Sequence, residues 1–194
     1  MLRRRMSLGL AVVFLLLGVW TGAATAQEQS APARRPDVIY VPTHQDAVNA
    51  MLNLAKVAKD DVVYDLGCGD GRIPVTAARD FGARALGIDI DPQRIAEAKA
   101  NVLAANVGDK VKIVEGDLFQ LPIGEATVVT LYLLPSLNEK LMPKLLSELK
   151  PGSRVVSHSF KMGNSDWQPE QTVEVPCSDG VTRTIYLWTI PEKK

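Results

Sequence analysis

The chain has 194 residues, 46% of them apolar and 23% charged, which is the composition of a globular protein long enough for one domain with a sizeable core. Lysine plus arginine equals aspartate plus glutamate, so the formal net charge is zero. That balance excludes a protein built to neutralise a nucleic-acid backbone.

The N-terminus stands apart. Arg3, Arg4 and Arg5 precede thirteen uncharged residues, 8–20, and Ala24-Thr25-Ala26 then supplies small residues at the spacing a signal peptidase reads. Thirteen residues span about 20 Å as a helix, short of the roughly 30 Å hydrocarbon core of a bilayer. Residues 1–26 therefore read as a signal peptide that exports the chain to the periplasm. The alternative is an N-terminal membrane anchor, with the apolar stretch continuing through Ala26. Cleavage removes three arginines and no acid, leaving a net charge of −3, a mild value that implies no strong polyanion partner. Residues 27–36 are polar, small and contain two prolines, the composition of a flexible linker. The folded domain is expected over 37–194.

Within that domain helices and strands alternate. Val48, Met51, Leu52 and Ala55 fall at i, i+3, i+4 and i+7, predicting a helix over 44–58 with Thr43 as its N-cap. Residues 62–64 are a short β-rich run ended by glycines. Residues 72–81 resume helical composition, with Pro74 tolerable only in the first turn and Gly82 as the stop. A second strand is expected at 85–88 and an Ala-rich helix from Pro92 to Ala105. A third strand follows at 111–114. The longer apolar run 126–134 reads as a fully buried strand. A helix over 137–149 is stopped by Pro151-Gly152, and a fifth strand covers 154–160. Residues 172–175 and 184–190, joined through Ser178-Asp179-Gly180, read as a closing hairpin. The pattern predicts an α/β fold with a doubly wound, mostly parallel sheet, and one hairpin strand must run antiparallel to the rest.

The sharpest signal is Val62-Val63-Tyr64-Asp65-Leu66-Gly67-Cys68-Gly69-Asp70-Gly71-Arg72, a strand running through three alternate glycines into a helix. Glycine lets the backbone turn sharply and approach a ligand with no Cβ in the way. The following helix presents free N–H groups at the carboxyl ends of the strands. A dinucleotide site wants a third glycine where Arg72 stands. The alternate-glycine form with Asp65 just ahead suits S-adenosylmethionine better, a ligand with an amino-acid end and no pyrophosphate. Asp89 ends the second strand beside Ile90 and is placed to accept hydrogen bonds from ribose hydroxyls. Asp91, directly before Pro92, is the better helix cap and leaves Asp89 available. Asp117 follows the third strand and can accept from an adenine amino group, with Leu118 against the ring. Three acids at three consecutive strand ends are hard to explain by packing.

Asp65, Gly67, Gly69, Gly71, Asp89 and Asp117 resemble the cofactor motifs of class I S-adenosylmethionine-dependent methyltransferases, over 37 to about 191. The resemblance implies a Rossmann-like seven-stranded sheet with a reversed last strand. A narrower likeness lies in Tyr40-Val41-Pro42-Thr43, in the glycine turn with Arg72-Ile73, and in Leu131-Tyr132-Leu133-Leu134-Pro135. These resemble a group of small protein-lysine methyltransferases that includes the ATP synthase c-subunit lysine methyltransferase and archaeal lysine methyltransferases. That likeness implies Tyr40, Pro42 and Thr43 over the cofactor, and the Tyr132–Pro135 segment near the methyl acceptor. A leader departs from this group, whose members work where the cofactor is made or imported.

The fourth strand end lacks the Asn/Asp-Pro-Pro-aromatic pattern of amino-methylating nucleic-acid enzymes, which disfavours a DNA base as acceptor, and no nucleic-acid partner is expected. The expected acceptor is a protein lysine, with a small molecule as the alternative. A further alternative is an exported nucleoside-binding module without transferase activity. Tyr132 lines the acceptor channel or packs. His158 reads as a satisfied core histidine before a base, and His44 as a helix-start residue. Trp167 covers the acceptor site or seals the core edge. No His, Cys and acid cluster shows metal-ligand spacing along the chain. Cys68 tops the first strand and Cys177 follows the sixth. With strands about 4.8 Å apart, the two lie roughly 15–20 Å from each other, beyond the ~7 Å limit for a disulfide. Two free thiols are expected.

Overall fold

The computed structural model describes residues 38–192, so the expected leader and linker lie outside the described residues. Seven strands and four helices follow in order. They are α1 (Gln45–Leu54), β1 (Val62–Leu66), α2 (Arg72–Phe81), β2 (Arg84–Asp89), α3 (Pro92–Ala104), β3 (Val111–Glu115), β4 (Val128–Leu131), α4 (Pro135–Glu148), β5 (Arg154–His158), β6 (Gln171–Pro176) and β7 (Thr182–Thr189). The sheet order is β3-β2-β1-β4-β5-β7-β6. β1 to β5 pair in parallel, and β7 runs antiparallel between β5 and β6. This is the doubly wound sheet with a reversed strand that the alternation predicts.

Strand periodicity divides the core. Val63, Val128, Val156, Ile185 and Leu187 face one side, with Val48, Met51 and Leu52 of α1 and Val75 and Ala78 of α2. Tyr64, Leu66, Val129, Leu131, Val155 and Trp188 face the other, with Leu141 and Leu145 of α4. Successive side chains of a strand point to opposite faces, so a sheet covered on both faces is apolar throughout. All four residues of β4 are buried.

Several boundaries differ from expectation. α1 stops at Leu54 although apolar residues continue to Ala58. Lys56 adopts a left-handed φ of 51°, and the N–H groups of Lys56 and Val57 donate to the carbonyls of Asn53 and Leu52. That pair of bonds is the Schellman stop, built here without glycine. The α1 cap is His44, whose Nδ1 accepts from the Asp46 N–H, and not Thr43. β4 ends at Leu131, and α4 begins at Pro135, a position where a missing N–H costs nothing. β5 ends at His158 because Ser159 turns with φ 62°. Both cysteines are free thiols.

Candidate cofactor and acceptor site

The sheet reverses winding between β1 and β4, and a cleft opens there at the carboxyl ends of the parallel strands, where such folds bind ligands. The β1–α2 turn forms its floor. Gly69 has φ 52°, and a Cβ built on it would lie 2.3 Å from Cε2 of Tyr40. Gly71 has φ 75°, and its Cβ would meet the Cβ of Ala98 at 2.9 Å. The first glycine admits an aromatic roof and the second admits α3.

The three strand-end acids converge as expected, in three different environments. Asp65 is buried and accepts from the Thr130 hydroxyl at 2.8 Å. Burial, followed by the nearby carboxylates of Asp89 and Asp70, pushes its pKa up to about 7 against the opposing Thr130 bond. Asp89 is held from both sides, Oδ2 accepting from the Gly69 N–H at 2.8 Å and Oδ1 from the Asp91 N–H at 2.9 Å. A carboxylate offers about four acceptor positions, so two remain for a diol. Asp91 caps α3 through the Gln93 N–H, as its place before Pro92 predicts. Asp117 accepts from the Phe119 N–H at 2.9 Å, and Leu118 lines the cleft beside it.

Residues 38–43 form the roof and have no regular secondary structure. Tyr40 lies over Gly69, with the Arg94 guanidinium 4.6 Å from its ring centroid. Arg72 chelates Asp70 through Nε and a terminal nitrogen, and donates its other terminal nitrogen to the Thr43 carbonyl at 2.8 Å. Burial would raise the Asp70 carboxyl, but its bonds to Arg72 outweigh that and hold it below the ordinary range. Asp70, Arg72 and Arg94 all line the cleft, and sequence reasoning gave none of them a role there. Arg72 had a signal, since it stands where a dinucleotide site places glycine. Arg94 had none beyond its place one turn into α3.

Tyr132 lines the cleft just past β4. Its ring rests on His158, centroids 3.9 Å apart, with Phe160 stacked at 6.2 Å. His158 is buried, and burial followed by the Arg183 charge lowers its pKa to about 4. Its Nδ1 is 3.4 Å from the Thr43 hydroxyl, but its Nε2 has no hydrogen-bond partner. It is therefore a neutral core histidine only half satisfied. Of the residues singled out from the sequence, Tyr40, Pro42, Thr43, Asp65, Gly67, Asp89, Ile90, Asp117, Leu118 and Tyr132 line the cleft. Gly69 and Gly71 shape it from behind. Pro135 does not line it and serves as the first residue of α4. Trp167 packs 6.0 Å from Trp188, whose indole N–H donates to its carbonyl, so it seals the core and not the cleft.

Residues 65–171 match the ANTKMT methyltransferase domain. A protein-lysine N-methyltransferase from Saccharolobus islandicus is 50% identical over 161 residues, covering 82% of this chain and 98% of that one. The chain belongs to the ANTKMT methyltransferase family. This ANTKMT-family chain is also 34% identical to the adenine nucleotide translocase lysine N-methyltransferase of Mus musculus, over 72% of its own length and 59% of the mouse protein. Among solved structures, an RNA methyltransferase from Salinibacter ruber in complex with S-adenosyl-L-homocysteine has 52% sequence identity and a TM-score of 0.73. The match covers 79% of this chain and 96% of that one. This family member is an S-adenosylmethionine-dependent methyltransferase. Its own residues fit the cofactor: a clamped carboxylate for a diol, a buried acid beside the glycine turn for an ammonium, and an apolar strip at Ile90 and Leu118 for a flat ring.

Proposed function

We propose that this methyltransferase N-methylates a lysine side chain of a protein. The observation that carries the reading is the 50% identity to a protein-lysine N-methyltransferase over nearly that enzyme's whole length. The cleft adds electrostatic support. Asp65, Asp70, Asp89, Asp91 and Asp117 line it against Arg72 and Arg94 alone. Such a field attracts an ammonium and repels a phosphate backbone.

In this reading Asp89 holds the ribose hydroxyls, Asp117 and Leu118 hold the adenine, and Asp65 faces the ammonium of the amino-acid end. Tyr40, Pro42 and Thr43 close over them and exclude water. Bound there, S-adenosylmethionine supplies an electrophilic methyl group on a sulfonium. The protein then has to place a neutral amine in line with it, which is catalysis by positioning. Tyr132 orients that amine at the cleft wall. The bound cofactor would supply the methyl group, its sulfur–carbon bond giving way to the new nitrogen–carbon bond and the amine's proton passing to water, while the residues named above would only hold and align the two partners. Desolvation beside Tyr132 lowers the lysine pKa and raises the neutral fraction.

A second reading takes RNA as acceptor, because the Salinibacter ruber enzyme is an RNA methyltransferase. The acidic cleft and the neutral overall charge weigh against it. The test incubates purified full-length chain with methyl-labelled S-adenosylmethionine and cell extract, then divides the product between protease and ribonuclease. Protease-sensitive label recovered as methyl-lysine is the expected result. Ribonuclease-sensitive label overturns the lysine reading in favour of RNA. Label confined to small molecules would favour a metabolite acceptor, and cofactor binding without transfer would reduce the chain to a binding module. We further propose that residues 1–26 bring the domain to a membrane or across it. Among the described residues no helix is long and apolar enough to cross one.

A further inference from the structure

Outside the cleft, one group of metal-ligating side chains converges among the described residues. His44 caps α1, Asp46 stands in its first turn, and Cys177 lies in the turn joining β6 to β7. A nitrogen of His44, a carboxylate oxygen of Asp46 and the Cys177 sulfur all lie within 4.8 Å of one another. The fold assembles them from opposite ends of the domain, so no spacing along the chain announces them.

Each of the three side chains has a hydrogen-bond partner, the Cys177 thiol donating to the Val175 carbonyl at 3.5 Å, and an ion would share or displace these partners. His44 Nδ1 and Asp46 Oδ2 are 3.4 Å apart, both carrying lone pairs. Besides a proton on the imidazole, the donor recorded at His44 Nδ1 is the Asp46 N–H, at 3.3 Å. Asp46 is fixed in place, Oδ2 accepting from the Ser178 N–H and hydroxyl at 2.8 Å each. Those two bonds, the N–H first, hold its carboxyl below the usual range, so it is ionised. Cys177 is buried, and its ligand partners are half-exposed, so an ion can enter from the solvent side. The other charged groups facing the cluster are Asp179 and Arg183, which pair with each other at 2.6 Å, and Arg183 also hydrogen-bonds Cys177, a contact an ion has to displace. The positive end of α1 opposes a cation here. Arg183 opposes it as well, and the Asp46 carboxylate with the thiolate that Cys177 becomes on binding supplies the two negative charges that counter them.

We propose that His44, Asp46 and Cys177 form a binding site for a divalent transition-metal ion of the zinc class, with a fourth position open to water. Imidazole, thiolate and carboxylate are the donors such an ion takes, and three protein ligands plus a water is its usual open arrangement. Bonds of about 2.0–2.3 Å place one sulfur, one nitrogen and one oxygen ligand roughly 3.3–3.7 Å apart in a tetrahedron, so closure needs shifts of about 1.5 Å or less. Binding releases the Cys177 proton to solvent. His44 directly follows the roof segment 38–43, and Cys177 sits on the outer hairpin. An occupied site ties the base of the roof to the far edge of the sheet.

The test uses the full-length chain, stripped with chelator and kept reduced, and titrated with cobalt(II) and then zinc(II). One cobalt per chain, a thiolate-to-cobalt charge-transfer band and its displacement by zinc are expected. Cys177→Ser should abolish the band. His44→Asn keeps a helix-capping side chain and should weaken binding at least tenfold. Asp46→Asn should weaken it too. Thermal denaturation of each variant without metal reports its folding independently. A band that survives Cys177→Ser, binding unchanged in His44→Asn, or no binding at millimolar metal would each overturn the site.

Discussion

Replacing Gly69 with alanine tests whether this glycine exists to admit the Tyr40 roof. Two penalties are expected. Alanine at φ 52° pays for a left-handed backbone, about 1–2 kcal/mol. Its Cβ would also stand 2.3 Å from Cε2 and 2.8 Å from Cδ2 of Tyr40, so the ring has to leave. Eviction forfeits the Arg94 stacking, worth about 0.5–1 kcal/mol, and the ring's cover over the turn. The single variant should therefore lose about 2–3 kcal/mol. In a Tyr40→Ala background the ring is already gone, and only the backbone part, about 1–2 kcal/mol, should remain. The assay is urea denaturation of the wild type, both single variants and the double variant, read as a coupling energy of about 1 kcal/mol. Equal Gly69→Ala penalties in the two backgrounds would refute the reasoning, because the glycine would then serve the turn alone.

Asp89→Ala should weaken S-adenosylmethionine binding by about 3 kcal/mol or more, two charge-assisted bonds at roughly 1.5–3 kcal/mol each, measured by titration calorimetry. An unchanged affinity would remove Asp89 from the ribose site. Asp65 titrates near 7 in the folded chain, so a cofactor ammonium beside it should drive off a proton when binding occurs below that pH. Calorimetry in buffers of different ionisation enthalpy measures the release, which Asp65→Asn should abolish. Asp65 and His158 should also tilt stability in opposite directions. Raised from 3.8 to about 7, Asp65 stabilises the fold at low pH, and that contribution fades as pH rises through 7. Lowered from 6.5 to about 4, His158 has its full contribution above 6.5 and loses it as pH falls toward 4. Urea midpoints across that window should rise more steeply with pH in Asp65→Asn and less steeply in His158→Asn. Parallel profiles for all three proteins would contradict both assignments.

What could be read in advance follows a physical division. The sheet, the glycine turn and the three acids are local patterns: apolar runs of strand length, a turn that needs glycine, and an acid placed where a strand stops. Each is written within a few residues. The end of α1 escaped because its stop uses Lys56 in a conformation that favours glycine. Pro135 reads as part of the acceptor wall from its place in a resembling segment, whereas it stands at the first position of α4 and does not line the cleft. Arg94 and Arg72 act on the roof through contacts that exist only once α3 and the roof segment are packed together. Cys177 meets His44 and Asp46 only because β6 and β7 fold back beside α1. Nothing in a one-dimensional pattern carries such encounters.

The roof segment gives the site its internal logic. Residues 38–43 belong to no helix or strand, so side-chain contacts and bonds to single backbone groups hold them. Tyr40 rests on the cofactor turn at Gly69, and the Thr43 carbonyl is anchored by Arg72, itself locked on Asp70 of that same turn. The Thr43 hydroxyl meets His158, which supports Tyr132 at the cleft wall. One short segment thus touches the glycine turn at one end and, through His158, backs the Tyr132 wall at the other. Thr43 and His158 link the roof to Tyr132 through side-chain contacts. Segments without a backbone ladder open at low free-energy cost. Opening residues 38–43 would therefore uncover the glycine turn and remove the support of Tyr132 together.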